Sequence, residues 1–594
     1  MTRGEFMKKL IEELQEITAG AFAECGYDRK YGTVVISNRP DLCEYQCNGA
    51  LAAAKEYHKA PFLIAKEVGE KLTGSPAFAS VEAVNPGFLN FRVSGEKLAD
   101  YASGMRTAQN YGAETEEKPM TIMIDYGGPN VAKPLHVGHL RSAVIGESIK
   151  RIDRFAGNHV IGDVHLGDWG LQMGLIITEL KKRKPELPYF DPEWKGDYPK
   201  EAPFTIGELE EIYPTASAYA KEHPEYAQEA HNATYELQHG NRGYQALWNH
   251  IIEVSVTDLK KNYRRLGVEF DLWKKESDAQ PYIPQMIQKM KDEGFAHLDQ
   301  GALVVDVKED SDTKEVPPCM ILKSDGATLY NTTDLATLVE RMKLFAPDEV
   351  LYVVDKRQDL YFEQVFRCAK KTGIVPAGVK LRFLGFGTMN GKDGKPFKTR
   401  EGGVMRLESL IREITDAVYE KMEDRDLPEE ERRAIAEKVG VAALKYGDLS
   451  NQASKNYVFD VERFSSFEGN TGPYILYTVV RIHSILAKYR ESVGKNVDLQ
   501  QILPPEQEAA RALLLALSRF NDVFDAAYHE DAPHRLCAFM FELANACNTF
   551  YHAVKILTEE DEKKRDSYMA MMKLSADLLE CCCGLLGMEV PERM

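Results

Sequence analysis

Histidines at i and i+3 serve three different chemistries. In "HVGH" they are His136 and His139, around Val137 and Gly138. On one helix face such a pair binds a metal, which needs further ligands. His159 and His165 lie downstream, but at no metal-site spacing from the pair. Buried core histidines are commoner, yet the preceding "DYGGPNVAKPL" carries "GGPN" and "KP", which force an exposed turn. The third chemistry uses every unusual residue. If a strand ends near Asp125 and a helix opens near His136, the helix offers unpaired N–H groups and its positive dipole end to an anion. His136 and His139 then donate to phosphate oxygens, and Lys133 adds a point charge. Gly138 lets a flat base lie against the backbone. That is a nucleoside triphosphate site, one that works by positioning charge.

Such a site must be held by a strand, a loop and a helix in that order, and the pattern predicts them. "MTIMIDY", "NHVIGDVHLGD", "DEVLYVVD" and "KLRFLGFG" read as buried strands with helical stretches between, the signature of a parallel, doubly wound sheet. The alternation breaks from about 176 to 300, where the period is mostly helical, so an insertion between two halves of the sheet is expected there. From about 430 onward strands vanish and long amphipathic helices close the chain. Before the sheet, helices mix with β-rich runs such as "GTVVISN" and "GFLNFRVS". A polar, turn-rich boundary follows at "TAQNYGAETEEKP". The opening "MTRGEFMKKLIEELQEI" predicts an amphipathic helix with Phe6, Met7, Leu10, Ile11, Leu14 and Ile17 on one face, rather than a targeting peptide.

The length of 594 residues calls for roughly two to four domains. Ten cysteines without a CxxC pair predict reduced thiols and a cytoplasmic protein, with neither a disulfide framework nor a zinc site. No window approaches about eighteen consecutive apolar residues, so no membrane span is expected. A net charge of −18 argues against indiscriminate binding of nucleic acid, while leaving room for local basic patches.

With its flanks, "GGPNVAKPLHVGHLRS" resembles the class I aminoacyl-tRNA synthetases, and the arginyl-tRNA synthetases in particular. The likeness spans nearly the whole chain. "HLGDWGLQMG", "SDGATLYNTTDLATL" and "YVVDKRQDLYF" are similar to further stretches of that family. "FEGNTGPYILYTVVRIHSIL", "FELANACNTFY" and "LLGMEVPERM" resemble its anticodon-binding bundle; "YQCNGALAAAK" and "NPGFLNFRV" resemble its added N-terminal domain. The implied architecture is α/β. It has an N-terminal α+β domain over 1–112, a Rossmann-like catalytic domain over 113–455, and an all-α anticodon-binding domain over 456–594. Two stretches depart from the family pattern. "CEYQ" stands at 43–46 where "GDYQ" is usual, and the KMSKS loop is the degenerate "NGKDGKPFKTREGG". Lys133 is then expected to take over part of that loop's phosphate work.

The resemblance implies arginine, ATP with its Mg²⁺, and tRNA(Arg) as substrates, a tRNA requirement for arginine activation, and a monomer. It assigns ATP to Lys133, His136, Gly138, His139, Lys395, Lys398 and Arg400, with Lys133, His136, His139 and Lys398 catalytic. It assigns the guanidinium to Asp334 and Glu276 with Tyr330 lining the pocket, the α-ammonium to Asp125 and Gln358, and the carboxylate to Asn130 beside His136. Carboxylates suit a planar guanidinium because bidentate, charge-assisted bonds are strong and directional. Taken alone, Asp125 reads equally as a turn cap and Asp334 as a helix cap. For the RNA the candidates are Phe88 and Asn90 at the elbow, and Tyr474, Tyr477, Arg481 and Tyr551 at the anticodon loop. The basic runs "KKRK" at 181–184 and "KKNYRR" at 260–265 are candidate phosphate contacts or solvated helix faces. Two rival functions are an adenylyltransferase for small molecules and a catalytically dead paralogue that binds tRNA.

Overall fold

The computed structural model describes residues 7–395, 397, 405–423, 427–494, 496–497 and 501–594. Two compact units divide the chain. Glu117–Ser466 with Leu585–Glu589 forms the larger; the stretch ending at Glu116, with Phe467–Gly584 and Val590–Met594, forms the smaller.

The larger unit is built on a five-stranded parallel sheet. Its elements run β1 (Thr121–Tyr126), α1 (Val137–Phe155), β2 (His159–Leu166), α2 (Arg242–Arg265), β3 (Leu272–Lys275), α3 (Tyr330–Leu344), β4 (Glu349–Asp355), β5 (Lys380–Phe386) and α4 (Glu429–Leu449). The strand order is β5-β4-β1-β2-β3. Ile122, Met123, Ile124 and Tyr126 of β1 and Val350, Leu351, Tyr352 and Val353 of β4 are all buried. A strand covered on both faces requires such continuous apolar runs. The chain steps outward from β1 to β2 and β3, then returns to lay β4 on the other side of β1. A crevice therefore opens between the carboxyl ends of β1 and β4, where open α/β sheets bind ligands.

The expected insertion over 176–300 is only partly helical. Helices Ile206–Glu222, Pro224–Gln238 and α2 fill most of it, but its latter part supplies β3, the sheet's edge strand. A separate antiparallel sheet follows, from Ala296–Asp299, Ala302–Val305 and Cys319–Leu322. Strands also persist past 430, since Tyr457–Val458 pairs in parallel with Met389–Asn390.

In the smaller unit a four-stranded antiparallel sheet has spatial order Val34–Ile36, Tyr45–Cys47, Phe88–Val93, Phe78–Val84. The first helix runs Leu10–Glu24; Leu10 and Leu14 of its predicted stripe are buried, while Phe6 lies outside the described residues. Five helices, from Gly472–Val493 to Glu562–Leu585, form the bundle. Arg511, buried, joins bundle to sheet domain with Nε 2.7 Å from Glu44 Oε1 and Nη2 2.6 Å from Oε1 and 2.8 Å from Oε2. All ten cysteines are free thiols. Among the described residues no helix is long and apolar enough to cross a membrane.

Candidate active site

The histidines open α1. His136 is its N-cap, and its Nδ1 accepts the Gly138 N–H at 3.0 Å. His139 Nδ1 accepts the His136 N–H at 3.1 Å. The rings lie 3.9 Å apart, centroid to centroid. Burial, then the neighbouring His136, pushes His139 down to about 3, and burial followed by Lys133 lowers His136. Both rings are therefore neutral at pH 7. Each has committed Nδ1 to a backbone donor, so the remaining proton sits on Nε2 as a donor. A core pair would point no such donors at a helix N-terminus. Gly138 has a further reason to be glycine: a Cβ there would stand 2.7 Å from the His136 ring.

The loop between β1 and α1 is fixed from three sides. Val131 N–H donates to Gly167 O at 3.0 Å and Gly167 N–H to Pro129 O at 3.2 Å, so the ends of β1 and β2 are stitched together at Asn130. A Cβ on Gly167 would fall 2.0 Å from Asn130 Oδ1, so with this glycine the Asn130 amide fills the space a side chain would take. Ala132 adopts a left-handed φ of 57°, and its N–H donates to buried Ser255 Oγ on α2 at 2.9 Å. Downstream, Val137 N–H donates to Met405 O at 3.1 Å and Leu407 N–H to Leu135 O at 2.8 Å. The trailing end of the "FKTR" loop is thus paired with the backbone of the histidine motif. Lys398 and Arg400 themselves lie outside the described residues. Lys395 is exposed in the turn from Gly391, and among the described residues no contact joins it to the histidines. Lys133 lies over the Tyr213 ring at 4.5 Å.

Carboxylates gather deeper in the crevice. Asp334 on α3 is half-buried; desolvation raises it, while the Tyr361 hydroxyl, which donates to its Oδ2, works the other way. Glu276, just past β3, is raised to about 7 by burial, then by Asp168 and Asp334. Asp168 is itself raised to about 6 by burial, although Ser277 donates to it through N–H at 3.0 Å and Oγ at 2.6 Å. Among the described residues none of these three forms an ion pair. Tyr330, 72% exposed, opens α3 at the cluster's edge. Gln358 is exposed just beyond β4.

Asp125 is less free than its sequence position suggests. Its Oδ2 accepts from Arg341 Nη2 at 2.5 Å, and the same nitrogen reaches Asp163 Oδ2 at 2.8 Å. Arg341 is buried, so one Asp125 oxygen is already committed. Sequence reasoning missed Arg341 and Asp163, and weighed His165 only as a metal ligand; both its ring nitrogens are buried and, among the described residues, without a hydrogen-bond partner. Period gives a retrospective signal. Asp163 and His165 share one face of β2, Asp334 and Arg341 share one face of α3, and the Arg341–Asp163 bond shows that these faces meet.

Comparison with known proteins decides the family. Residues 103–461 match the model for the catalytic domain of tRNA synthetases class I (R), 475–594 the DALR anticodon binding domain, and 6–93 the arginyl tRNA synthetase N terminal domain. The arginine–tRNA ligase of Agathobacter rectalis is 60% identical across 99% of this chain and 100% of its own length; that of Alkaliphilus oremlandii is 54% identical across the same shares. The chain belongs to the arginyl-tRNA synthetase family. Two solved arginyl-tRNA synthetases share the fold at 24% identity. That of Plasmodium falciparum has a TM-score of 0.79 over 100% of both chains; that of Thermus thermophilus, 0.76 over 98% of this chain and 100% of its own.

In this synthetase three of the four bundle candidates for RNA, Tyr474, Tyr477 and Arg481, are half-buried, and Tyr551 is exposed. Tyr474 Oη donates to Asn545 Oδ1 at 2.7 Å and accepts from Asn548 Nδ2 at 2.8 Å, while Arg481 Nη1 donates to Asn548 Oδ1 at 3.1 Å. Arg481 also covers the Tyr477 ring at 4.6 Å, and Tyr551 is 36% exposed. Asn90 accepts Gln46 Nε2 at 2.8 Å on the sheet of the smaller unit, with Phe88 half-buried two residues earlier on that strand.

Proposed function

We propose that this arginine–tRNA ligase activates L-arginine at the carboxyl ends of β1 and β4 and transfers it there to the terminal adenosine of tRNA(Arg). The arginine carboxylate attacks the α-phosphorus of ATP, the bond to pyrophosphate breaks, and arginyl-adenylate forms. The 2′-hydroxyl of the RNA then attacks the activated carbonyl and AMP leaves. Neither step needs a protein nucleophile, so positioning and charge carry the catalysis.

The observation that carries this reading is a pairing of two features at the carboxyl end of the sheet. Two neutral imidazoles present Nε2–H donors at the N-terminus of α1, and Asp168, Glu276 and Asp334 form a carboxylate cluster that, among the described residues, makes no ion pair. Donors, helix dipole and Lys133 suit the phosphates. Glu276 and Asp334 suit a planar guanidinium, and lysine, a point charge, leaves the fork half-satisfied. Asp125 offers the α-ammonium its uncommitted oxygen, and Asn130 meets the carboxylate. His165, unpaired beside Asp334, adds an acceptor for one of the five guanidinium N–H groups. Mg²⁺ arrives on the ATP phosphates. Lys395, Lys398 and Arg400 approach the triphosphate from the downstream loop. The synthetase works as a cytoplasmic monomer, reading the tRNA elbow with Phe88 and Asn90 and the anticodon loop with Tyr474, Tyr477, Arg481 and Tyr551.

ATP–pyrophosphate exchange, run with each amino acid and with or without tRNA, tests the reading. Exchange should appear with arginine alone among the amino acids, and only when tRNA is present. Exchange with another amino acid would move the specificity, and tight tRNA binding without exchange would indicate a dead paralogue. His139→Ala should cut exchange by about 10²–10³, the loss typical of a transition-state donor, and leave tRNA affinity near normal.

A further inference from the structure

The helix that pins the ATP loop from inside carries an unassigned basic and aromatic recess on its outside. α2 buries Ser255 and Tyr263 toward the loop. Tyr263 Oη donates to Gly127 O, and the Gly127 N–H donates to Ser142 Oγ at 2.7 Å, so the first residue of the loop is held through both of its backbone polar groups. On its other side Tyr263 is part of the floor of a recess of about 380 Å³, together with Phe270 and Trp273. The three rings pack at 5.0 to 6.3 Å between centroids. Trp273 stands on β3, the edge strand of the sheet.

Lys260 and Arg264, one helical turn apart, rim the recess, and both are exposed. Lys260 sits 5.1 Å above the Trp273 ring. Glu269 is the one acidic residue that lines the recess. Among the described residues, neither Lys260 nor Arg264 forms an ion pair. On a chain of net charge −18, a cluster of unpaired cations around an aromatic floor calls for an anionic, flat partner. A solvated helix face needs no aromatic floor. Aromatic side chains under a cationic rim are how proteins hold single nucleotides of RNA without reading their identity.

We infer that this recess takes one nucleotide of the RNA substrate, its phosphate on Lys260 and Arg264 and its base or ribose over Phe270 and Trp273. The inference rests on the ligase reading above, which supplies the RNA. It also gives the RNA a short mechanical route to the ATP loop, since Tyr263, packed against both Phe270 and Trp273, is the residue whose hydroxyl holds Gly127.

The test is tRNA(Arg) binding to the full-length protein across a salt series, with ATP binding measured alongside. Lys260→Ala with Arg264→Ala should weaken tRNA by about tenfold and lower the salt slope by about one to two, leaving ATP affinity unchanged. The charge-conserving pair Lys260→Arg with Arg264→Lys should restore both. Tyr263→Phe should leave tRNA affinity intact and reduce the stimulation of exchange by tRNA several-fold. Unchanged affinity and slope in the alanine pair would overturn the inference, and so would weakened binding with an unchanged slope that the conserving pair fails to restore. Wild-type protein that binds no tRNA would instead sink the ligase reading.

Discussion

Glu276 shows how a single residue makes the arginine site responsive to pH. Burial and two neighbouring carboxylates hold it at about 7, so near neutrality a substantial fraction carries a proton. A guanidinium favours the ionised form, because an opposite charge nearby stabilises it. Binding arginine must therefore expel that proton, and affinity must rise with pH through the titration before levelling off above it. The KM for arginine is expected to fall by several-fold between pH 6 and 8, and Glu276→Gln should flatten the profile while raising KM throughout. A steep profile surviving in Glu276→Gln would move the titration to another group. His139 contributes nothing in this range, since it stays neutral down to about 3, and burial lowers His136 in the same direction.

At the scale of elements, the crossing of two loops decides where Asn130 points. The loops after β1 and β2 exchange backbone hydrogen bonds at Gly167, whose missing Cβ is the space that Asn130 Oδ1 fills. In Gly167→Ala the new methyl meets the end of a rotatable side chain, which can swing aside, so the fold should survive and the side chain's bond to the arginine carboxylate should not. The expected result is a roughly tenfold or larger rise in arginine KM, the value of about one charge-assisted hydrogen bond, with little change in thermal stability. A collapse in stability with unaltered KM would show the loop crossing to be structural only. The same elements show what the sequence made legible. β1, β2 and β4 are read directly because both faces are covered and their runs are apolar; β5, also an edge strand, is read because Leu381, Phe383, Leu384 and Phe386 keep it apolar. β3 escapes because "LWKK" is an edge strand with every residue half-exposed, so it has no apolar run to see. Among the described candidates, Asp125, His136, His139 and Asp334 stand in or beside β1, α1 and α3, so local pattern is enough to place them on those elements. Arg341 and Asp163 escape local pattern, because their meeting across 178 residues exists only once α3 lies over β2.

For the whole molecule, the last few residues matter beyond the helix they follow. The chain leaves its final helix, Glu562–Leu585, and Leu585–Glu589 belongs to the same compact unit as the sheet. There Lys445 of α4, fully buried, donates from Nζ to Leu266 O at 2.6 Å and to Gly587 O at 2.7 Å. One ammonium-type nitrogen thus ties α4, the end of α2 and the carboxy-terminal segment together. Burial lowers Lys445 to about 7, against an ordinary 10.5, and the neutral amine still has protons for both carbonyls. The sign follows from linkage. Between pH 7 and 10.5 the unfolded chain holds a proton here that the folded one has shed, so this group's contribution to stability grows as pH rises through that window and fades as pH falls toward 7. Lys445→Met fills similar space but leaves two buried carbonyls without a donor, at about 1–3 kcal/mol each. All four tryptophans, Trp169, Trp194, Trp248 and Trp273, lie in the larger unit, so their fluorescence during denaturation reports that unit alone. The expected outcome is a less stable variant whose deficit against wild type widens from pH 7 to 9.5. A deficit that stays constant or narrows would mean that Lys445 is charged in the folded protein, and that the latch depends on its ion atmosphere rather than on a neutral, two-pronged donor.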